Sequence, residues 1–279
     1  MAKIMATSHT QYSALLQDGS MPVQHPWSRY VAIGDSFTEG IGDPEPRSPG
    51  GHRGWADRVA EVLSDSTPHF AYANLAIRGR LLDQILDEQL EAAMELRPGL
   101  VTISAGGNDI LRPGTDPDAV AARFELGLQR LTSEGATVVM FNGPDIGKTP
   151  VLGRMRGKIA IYNENLRAIA KRHDAIMADM WGLRELTDPR MWAPDRLHFS
   201  AVGHQTIARM VLGALNVEND LEPFRPEPLP KTSWRQARRE DVGWAREYFG
   251  PWIMRRLRHR SSGDGISAKR PTPGGARVN

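Results

Sequence analysis

Five short runs of apolar, β-forming residues recur along the chain, and stretches with helical spacing separate them. Such runs predict buried strands, and their alternation with helices predicts a mostly parallel sheet that helices cover on both faces. We therefore expect an α/β protein with a three-layer α/β/α fold and a five-stranded, mostly parallel, flavodoxin-like sheet. The predicted strands are residues 30–34, 69–75, 100–104, 137–141 and 175–179. The predicted helices are residues 55–65, 81–96, 116–134, 156–171 and 201–215.

Composition divides the rest of the chain into segments. Residues 1–28 are polar and predict a flexible N-terminal segment, whereas residues 29–216 hold all the predicted strands and form the α/β domain. Residues 217–260 begin with a proline-rich strap and continue as a basic helical tail. Residues 261–279 are rich in glycine, serine, proline and arginine, a composition that predicts a disordered C-terminus.

The formal net charge is +2, but the charge is unevenly distributed. From Arg225 onward, 13 lysines and arginines face 5 acidic residues, a net charge of +8, whereas residues 1–224 carry 22 against 28, a net charge of −6. The basic tail can dock on the acidic body, which the opposite charges favour, or lie on an anionic membrane surface as a peripheral contact. No nucleic-acid-binding motif accompanies the charge, so we expect no nucleic-acid partner.

Cysteine is absent from the sequence, which excludes disulfides, thiolate catalysis and cysteine-ligated metal sites. The first residues lack the apolar core of a secretory signal, and no apolar run reaches the length of a transmembrane helix. These features predict a soluble protein, and a reducing cytoplasm fits them. The glycine pattern of a dinucleotide site is incomplete, because Glu45 stands where the third glycine of a motif starting at Gly40 would fall.

The first predicted strand ends in the tripeptide Gly34-Asp35-Ser36. Open α/β sheets bind their ligands at the carboxyl ends of the strands, so Ser36 is a candidate nucleophile at that edge. The Gly-x-Ser-x-Gly elbow of α/β-hydrolases is absent, because Phe37 and Thr38 follow the serine. A serine nucleophile also needs a base, a carboxylate that orients the base, and hydrogen-bond donors for an oxyanion.

His198 is the candidate base, because it alone among the eight histidines lies three residues after an aspartate in a loop that leads into the last predicted helix of the body. In such a turn Asp195 can reach one ring nitrogen while the other faces Ser36. An isolated Asp-x-x-His is more often a surface turn, and that alternative stays open from these residues alone. The candidate oxyanion donors are the backbone N–H groups of Ser36 and Gly79 and the side-chain amide of Asn108. Asp35 is expected to bind the loop backbone.

With these motifs in order, the chain resembles the SGNH, or GDSL-type, serine hydrolases over about residues 29–216. The resemblance implies carboxylic ester hydrolysis with Ser36 as nucleophile, His198 as base and Asp195 as orienting acid. It also implies oxyanion donors at Ser36, Gly79 and Asn108, and no metal or organic cofactor. Phe37 replaces the leucine of the motif, a change at an apolar packing position, and the tail lies outside the resemblance. The matching blocks are Gly34-Asp35-Ser36, Gly79, Gly106-Gly107-Asn108-Asp109 and Asp195-Arg196-Leu197-His198.

Two loops are placed to border an acyl pocket, namely Met191-Trp192 before the Asp195 turn and Pro144-Asp145-Ile146 after the fourth strand. Their apolar side chains favour a small-molecule ester with an acetyl or a short- to medium-chain acyl group, although they can equally just pack the loops. Two alternatives stay open. The same residues can transfer the acyl group to an alcohol, or the protein can be a noncatalytic membrane-surface or binding module that acts through its basic tail.

Overall fold

The computed structural model describes residues 25–149, 152–228, 233–251, 254 and 261–277. A six-stranded sheet lies at its centre. The strands are β1 (Arg29–Gly34), β2 (Ala71–Asn74), β3 (Leu100–Ser104), β4 (Thr137–Phe141), β5 (Ile176–Ala178) and β6 (Arg270–Gly274). Their order is β5-β4-β3-β1-β2-β6, in which the first five strands in the chain pair in parallel and β6 runs antiparallel to β2. The flavodoxin-like, mostly parallel sheet predicted from the sequence is confirmed.

Helices cover both faces of the sheet. They are α1 (Ser36–Glu39), α2 (Gly54–Ser66), α3 (Leu82–Ile85), α4 (Glu91–Glu95), α5 (Gly107–Ile110), α6 (Pro117–Thr132), α7 (Arg156–Arg172), α8 (Ala201–Ala214) and α9 (Trp234–Trp244). A π-helical turn, Leu86–Leu90, joins α3 to α4, and another, Ala245–Phe249, continues α9. One face packs on α2 and α8, and the other packs on α3, α6 and α7.

Strand β1 lies between β2 and β3. Its contacts explain why the sequence of a strand inside a parallel sheet is a continuous apolar run. Tyr30 and Ala32 pack into the cluster with α2 and α8, whereas Val31 and Ile33 pack into the cluster on the other face. All four side chains are fully buried, because helices cover both sides of the strand. The residues that follow β1 therefore lie near the middle of the sheet, at the edge formed by the carboxyl ends of the parallel strands.

Strand β6 corrects the prediction that residues 261–279 are disordered. Residues 261–277 form a turn and then a strand that pairs with β2, with Tyr72 opposite Gly274 and Asn74 opposite Arg270. The composition misled because Pro271 and Pro273 are rare in strands, yet an edge strand tolerates them. The sheet thus contains a strand from outside the predicted domain of residues 29–216.

The N-terminal prediction is corrected at one end. Residues 1–24 lie outside the described ranges, but His25 and Trp27 are buried, and the His25 ring bonds the carbonyl oxygen of Leu63 at 2.9 Å. In the tail, α9 is helical as predicted, whereas the arginines of residues 255–260 lie outside the described part of the chain. None of the described helices is both long enough and apolar enough to cross a bilayer.

Candidate active site

The tight turn after β1 brings Ser36 to the sheet edge. Gly34 makes this approach with φ +151°, and a Cβ there would lie 2.6 Å from the carbonyl oxygen of Ser104 on β3, so a larger residue would push the strands apart. Asp35 is the N-cap of α1, and its Oδ1 accepts the N–H of Phe37 at 3.1 Å. The prediction that Asp35 bonds the loop backbone is confirmed. Ser36 begins α1 and lines a cavity.

The side chains of Ser36, His198 and Asp195 form one hydrogen-bonded chain. His198 Nε2 lies 3.0 Å from Ser36 Oγ, and His198 Nδ1 lies 2.6 Å from Asp195 Oδ2. A carboxylate only accepts, so Nδ1 carries the ring proton and donates it to Asp195. The lone pair of Nε2 is then left to accept the Ser36 hydroxyl, which is the arrangement a general base requires.

A tight turn holds the Asp195 carboxylate beside its histidine. Asp195 Oδ1 accepts the N–H groups of both Leu197 and His198 at 3.0 Å. Arg196 between them adopts a left-handed conformation, with φ +54°. Burial alone would raise the pKa of Asp195, but the hydrogen bond and charge of His198 and the two backbone N–H groups outweigh it and lower the pKa below its ordinary value.

Gly79, the predicted backbone donor, lies in the loop after β2 and lines the same cavity as Ser36. Its φ is +74°, which favours glycine. Among the described residues, the N–H groups of Ser36 and Gly79 donate no hydrogen bond, so both can serve a ligand. Glu39, which no sequence motif singled out, holds this loop. Its buried carboxylate pairs with the Arg78 guanidinium and accepts the Arg78 N–H at 2.7 Å.

Asn108 also lines the cavity, at the start of α5, but its amide already has protein partners. Nδ2 donates to Asp35 Oδ2 at 3.0 Å and to the carbonyl oxygen of Arg80 at 3.1 Å. For Asn108 to donate to an oxyanion, one of these N–H groups must be shared with the ligand. The next residue, Asp109, also bonds the backbone, since its Oδ2 accepts the N–H of Leu82 at 2.9 Å.

Asp35 is the acidic residue next to Ser36, the candidate nucleophile, and its side chain is buried. Burial, as the main cause, raises its pKa from 3.8 to about 6, against the opposing effects of the Phe37 N–H and the His198 charge. Burial likewise raises the pKa of Asp109. These carboxyl groups face backbone N–H groups and Asn108, and neither makes a described contact with His198. Asp195 is therefore the carboxylate that is hydrogen-bonded to the His198 ring.

A cavity of about 400 Å³ opens beside Ser36, in the size range of small-molecule sites. Of the predicted pocket residues, Trp192, Pro144 and Ile146 line it. Met191 is instead fully buried in the core, and Asp145 pairs with Arg156. Most of the remaining wall is apolar and includes Phe37, Ile110, Leu111, Phe141, Leu152, Ile159, Met180, Leu197 and Phe199.

His204, in the first turn of α8, has a structural role. It is fully buried, with Nδ1 accepting the N–H of Trp55 at 3.2 Å and Nε2 donating to the carbonyl oxygen of Ile41 at 3.1 Å. Burial lowers its pKa to about 4. Within the described ranges, no three or more histidine, aspartate or glutamate side chains are grouped so that they could hold a metal ion.

Several solved structures share this fold. LAE5, an α/β hydrolase enzyme from the metagenome of Lake Arreo in Spain, is 23% identical with a TM-score of 0.60, over 69% of this chain and 97% of that one. TesA is 22% identical with a TM-score of 0.56, over 67% and 97%. Axe2, an acetylxylan esterase from Geobacillus stearothermophilus, is 19% identical with a TM-score of 0.57, over 71% and 98%. At these identities the likeness establishes the fold alone.

A search of curated proteins finds no match to the chain. The sequence profile of the GDSL-like Lipase/Acylhydrolase family, by contrast, matches residues 32–206, which is more than half of the chain. The matched range contains all the residues of the site described above. The chain therefore belongs to the GDSL-like lipase/acylhydrolase family of carboxylic ester hydrolases.

Proposed function

We propose that the protein hydrolyses esters of acetyl or short- to medium-chain acyl groups through a covalent acyl-enzyme on Ser36. The supporting observation is the hydrogen-bonded chain from Asp195 through His198 to Ser36, at 2.6 and 3.0 Å, on the wall of an apolar cavity. These distances fall within the range for a nucleophile and its base. The proposed substrate is a small-molecule ester, and no cofactor takes part in the proposed steps.

In the first half-reaction, Ser36 Oγ attacks the ester carbonyl carbon while His198 Nε2 takes its proton. Asp195 accepts from Nδ1 and stabilises the imidazolium that forms. The carbonyl oxygen becomes an oxyanion, which accepts hydrogen bonds from the backbone N–H groups of Ser36 and Gly79. The carbon–oxygen bond to the alcohol then breaks, and the imidazolium returns its proton to the leaving alcohol.

In the second half-reaction, a water molecule takes the place of the alcohol. His198 Nε2 removes a proton from that water as its oxygen attacks the acyl carbon, and a second oxyanion forms in the same position. When this intermediate collapses, Ser36 Oγ leaves as the alcohol with the proton from His198, and the carboxylic acid is released. Both steps need the lone pair of His198 Nε2 to accept a proton.

Asn108 is the proposed third oxyanion donor. Its amide lies against Asp35 and Arg80, which fix its orientation before substrate binds. Sharing one N–H with the developing oxyanion would add a donor at no cost in side-chain ordering. A well-placed donor of this kind contributes on the order of 3 kcal/mol to stabilisation of the transition state.

The cavity wall supports an apolar acyl group. Ile146 and Leu152 precede α7, and Ile159 lies on it, so they meet on one side of the cavity. Burying an acyl chain against such side chains contributes about 0.8 kcal/mol for each CH₂ group. Activity is therefore expected to depend on acyl length until the cavity is filled.

The test is hydrolysis of p-nitrophenyl esters from acetate to octanoate, together with labelling by a fluorophosphonate. The wild type should hydrolyse the esters and be labelled on Ser36. Ser36→Ala should retain less than about 1% of activity, whereas Ser133→Ala, at an exposed serine, should match the wild type. Retained activity in Ser36→Ala, or a wild type that the probe does not label, contradicts the proposal and favours a noncatalytic module.

A further inference from the structure

The C-terminal part of the chain contacts both loops that flank Ser36. We call residues 233–277 the accessory segment, of which residues 233–251, 254 and 261–277 are described. The family profile ends at residue 206, so nothing in that match assigns this segment a role. Two of its contacts bear on the candidate active site, one at the Asp195 turn and one at the Gly79 loop.

The first contact is made by Trp244 at the end of α9. Its Nε1–H donates to the carbonyl oxygen of Asp195 at 2.7 Å. Trp244 is 9% exposed, whereas Trp234 at the other end of the same helix is 70% exposed. The Arg196 guanidinium lies over the Trp244 ring, 5.4 Å from its centroid, and bonds Asp241 Oδ1 at 2.5 Å. Helix α9 therefore contacts two successive residues of the Asp195 turn, Asp195 and Arg196.

The Asp195 turn includes a residue with a strained backbone. Arg196 has φ +54°, a left-handed conformation that is strained for a residue with a Cβ. The bond from Trp244 fixes the main chain of the same residue whose carboxylate orients His198. A shift of the Asp195 carbonyl would move that carboxylate, because the two groups share one Cα.

The second contact is made by the turn that starts at Ser261. Ser261 Oγ donates to the carbonyl oxygen of Arg78 at 3.4 Å. Gly263 packs so closely that a Cβ there would collide with the same oxygen. Asp264 Oδ1 lies 3.7 Å from Arg80 Nη1. The turn therefore braces the loop that carries the N–H of Gly79.

The brace is itself anchored to the body. Lys269 Nζ pairs with Asp57 on α2 and donates to the carbonyl oxygens of His52 and Arg53 at 3.0 Å. Arg277 pairs with Asp65 at 2.7 Å on the same helix. Because these contacts hold the residues that follow the Ser261 turn, its position against Arg78 is set by the body of the protein.

We propose that the accessory segment positions both catalytic loops, with Trp244 as a positioning residue for the Asp195 turn and Gly263 for the Gly79 loop. The inference rests on the proposed function. Neither residue touches the reacting atoms, so each acts through the residue it holds. Their loss is expected to lower kcat more than it changes KM.

The first test compares Trp244→Phe with Trp234→Phe in the full chain. Trp244→Phe keeps an aromatic ring but removes the N–H that bonds Asp195. We expect kcat to fall about 10-fold with KM within about twofold, and the downfield proton resonance of the Asp195–His198 hydrogen bond to shift. Trp234→Phe, at the exposed end of the same helix, should leave kcat and the resonance unchanged.

The second test compares Gly263→Ala with Gly275→Ala. The added methyl at Gly263 must displace the Arg78 carbonyl, whereas a methyl at Gly275 would lie 4.0 Å from the carbonyl oxygen of Arg277. We expect Gly263→Ala to lower kcat about 10-fold and Gly275→Ala to match the wild type. Thermal unfolding of each variant shows whether it is folded at the assay temperature.

The outcomes separate this inference from the proposed function. An active, labelled wild type with Trp244→Phe and Gly263→Ala at wild-type kcat overturns the inference and leaves the function intact. A wild type without activity or label overturns the function, and the proton resonance then still reports whether Trp244 holds the turn. If Trp244→Phe does not fold, Asp241→Asn is tested in its place. This variant weakens the bond between Asp241 and Arg196 at a half-exposed site. An unchanged kcat in Asp241→Asn contradicts the inference.

Discussion

The ammonium group of Lys269 donates a hydrogen bond to the carboxylate of Asp57, and each side chain is 2% exposed. The pair joins the approach to β6 to helix α2, 212 positions earlier in the chain. Burial lowers the pKa of Lys269 and raises that of Asp57, and the attraction between the two charges opposes both shifts. Each charge of the pair compensates the burial of the other, and Arg270 Nε, 3.5 Å from Asp57 Oδ1, adds a second positive neighbour.

Lys269→Met is therefore expected to destabilise the protein, because it removes the hydrogen-bonded cation of the buried Asp57 carboxylate and leaves it with the Arg270 guanidinium, whose Nε lies 3.5 Å from Oδ1. Removing one member of a buried ion pair costs about 3–5 kcal/mol, which urea unfolding measures. Adding Asp57→Asn removes the stranded charge and should restore part of the loss. Lys171→Met, at an exposed position on α7, should stay within about 0.5 kcal/mol of the wild type. A stable Lys269→Met single variant would contradict the role of the pair.

Asp35→Asn tests the raised pKa of Asp35. Because its folded-state pKa is about 6 against an ordinary 3.8, the folded protein keeps a proton that the unfolded chain releases. The resulting stabilisation is present below about pH 4 and is lost as pH rises through 6. Between pH 4 and 7.5 the wild type should therefore lose about 2.5 kcal/mol relative to Asp35→Asn in urea unfolding.

The matched control for that measurement is Asp116→Asn. Asp116 is also an N-cap, with its carboxylate accepting the N–H of Asp118 at 2.9 Å, but it is exposed. The difference in unfolding free energy between Asp116→Asn and the wild type should vary much less with pH. A pH-independent difference for Asp35→Asn would mean that Asp35 keeps its charge throughout this range.

Gly79→Ala is expected to impair catalysis beyond its effect on stability. At φ +74° an added Cβ is strained, and it would also collide with Ser261 Oγ, so the loop must move. Gly114 has φ +76° with nothing within 4 Å of an added Cβ. Both alanine variants should lose about 1 kcal/mol of stability, but only Gly79→Ala should lower kcat, by about 10-fold or more. Equal kcat values in the two variants would exclude Gly79 from the oxyanion site.

Ile159→Trp should shorten the acyl chain that the cavity accepts. Ile159 lines the cavity from α7, whereas Ile161 on the same helix is 49% exposed. In Ile159→Trp we expect kcat/KM for p-nitrophenyl octanoate to fall at least about 10-fold relative to acetate. Ile161→Trp should keep the wild-type preference. An unchanged preference in Ile159→Trp would place the acyl chain elsewhere in the cavity.

Local patterns in the sequence predicted the five parallel strands and singled out the candidate residues of the site. Gly34-Asp35-Ser36 follows a buried apolar run, and the carboxyl ends of parallel strands meet at one edge, so wide separation in sequence was no obstacle. The structure places Ser36, Gly79 and Asn108 around one cavity with His198. The hydrogen bonds of Asn108 to Asp35 and Arg80 depend on distances of a few tenths of an ångström, which residue patterns do not carry.

The contacts of the tail could not be predicted in the same way. Opposite charges favoured docking of the tail on the body, and Lys269 and Arg277 do pair with acidic residues of α2. Which residues meet depends on the finished tertiary structure, as the bond from Trp244 to Asp195 illustrates. Strand β6 was missed because its pairing is decided by the free edge of β2 and hardly by its own residues.

Strand β6 also has a consequence for how these molecules behave at high concentration. A free sheet edge can recruit a strand from another molecule and so begin aggregation. Here β6 pairs with the side of β2 that would otherwise be free. Two of the five residues of β6, Pro271 and Pro273, have no N–H group that could pair with a strand from another molecule. The chain thus closes that side of its sheet with a strand that is a poor template for further growth.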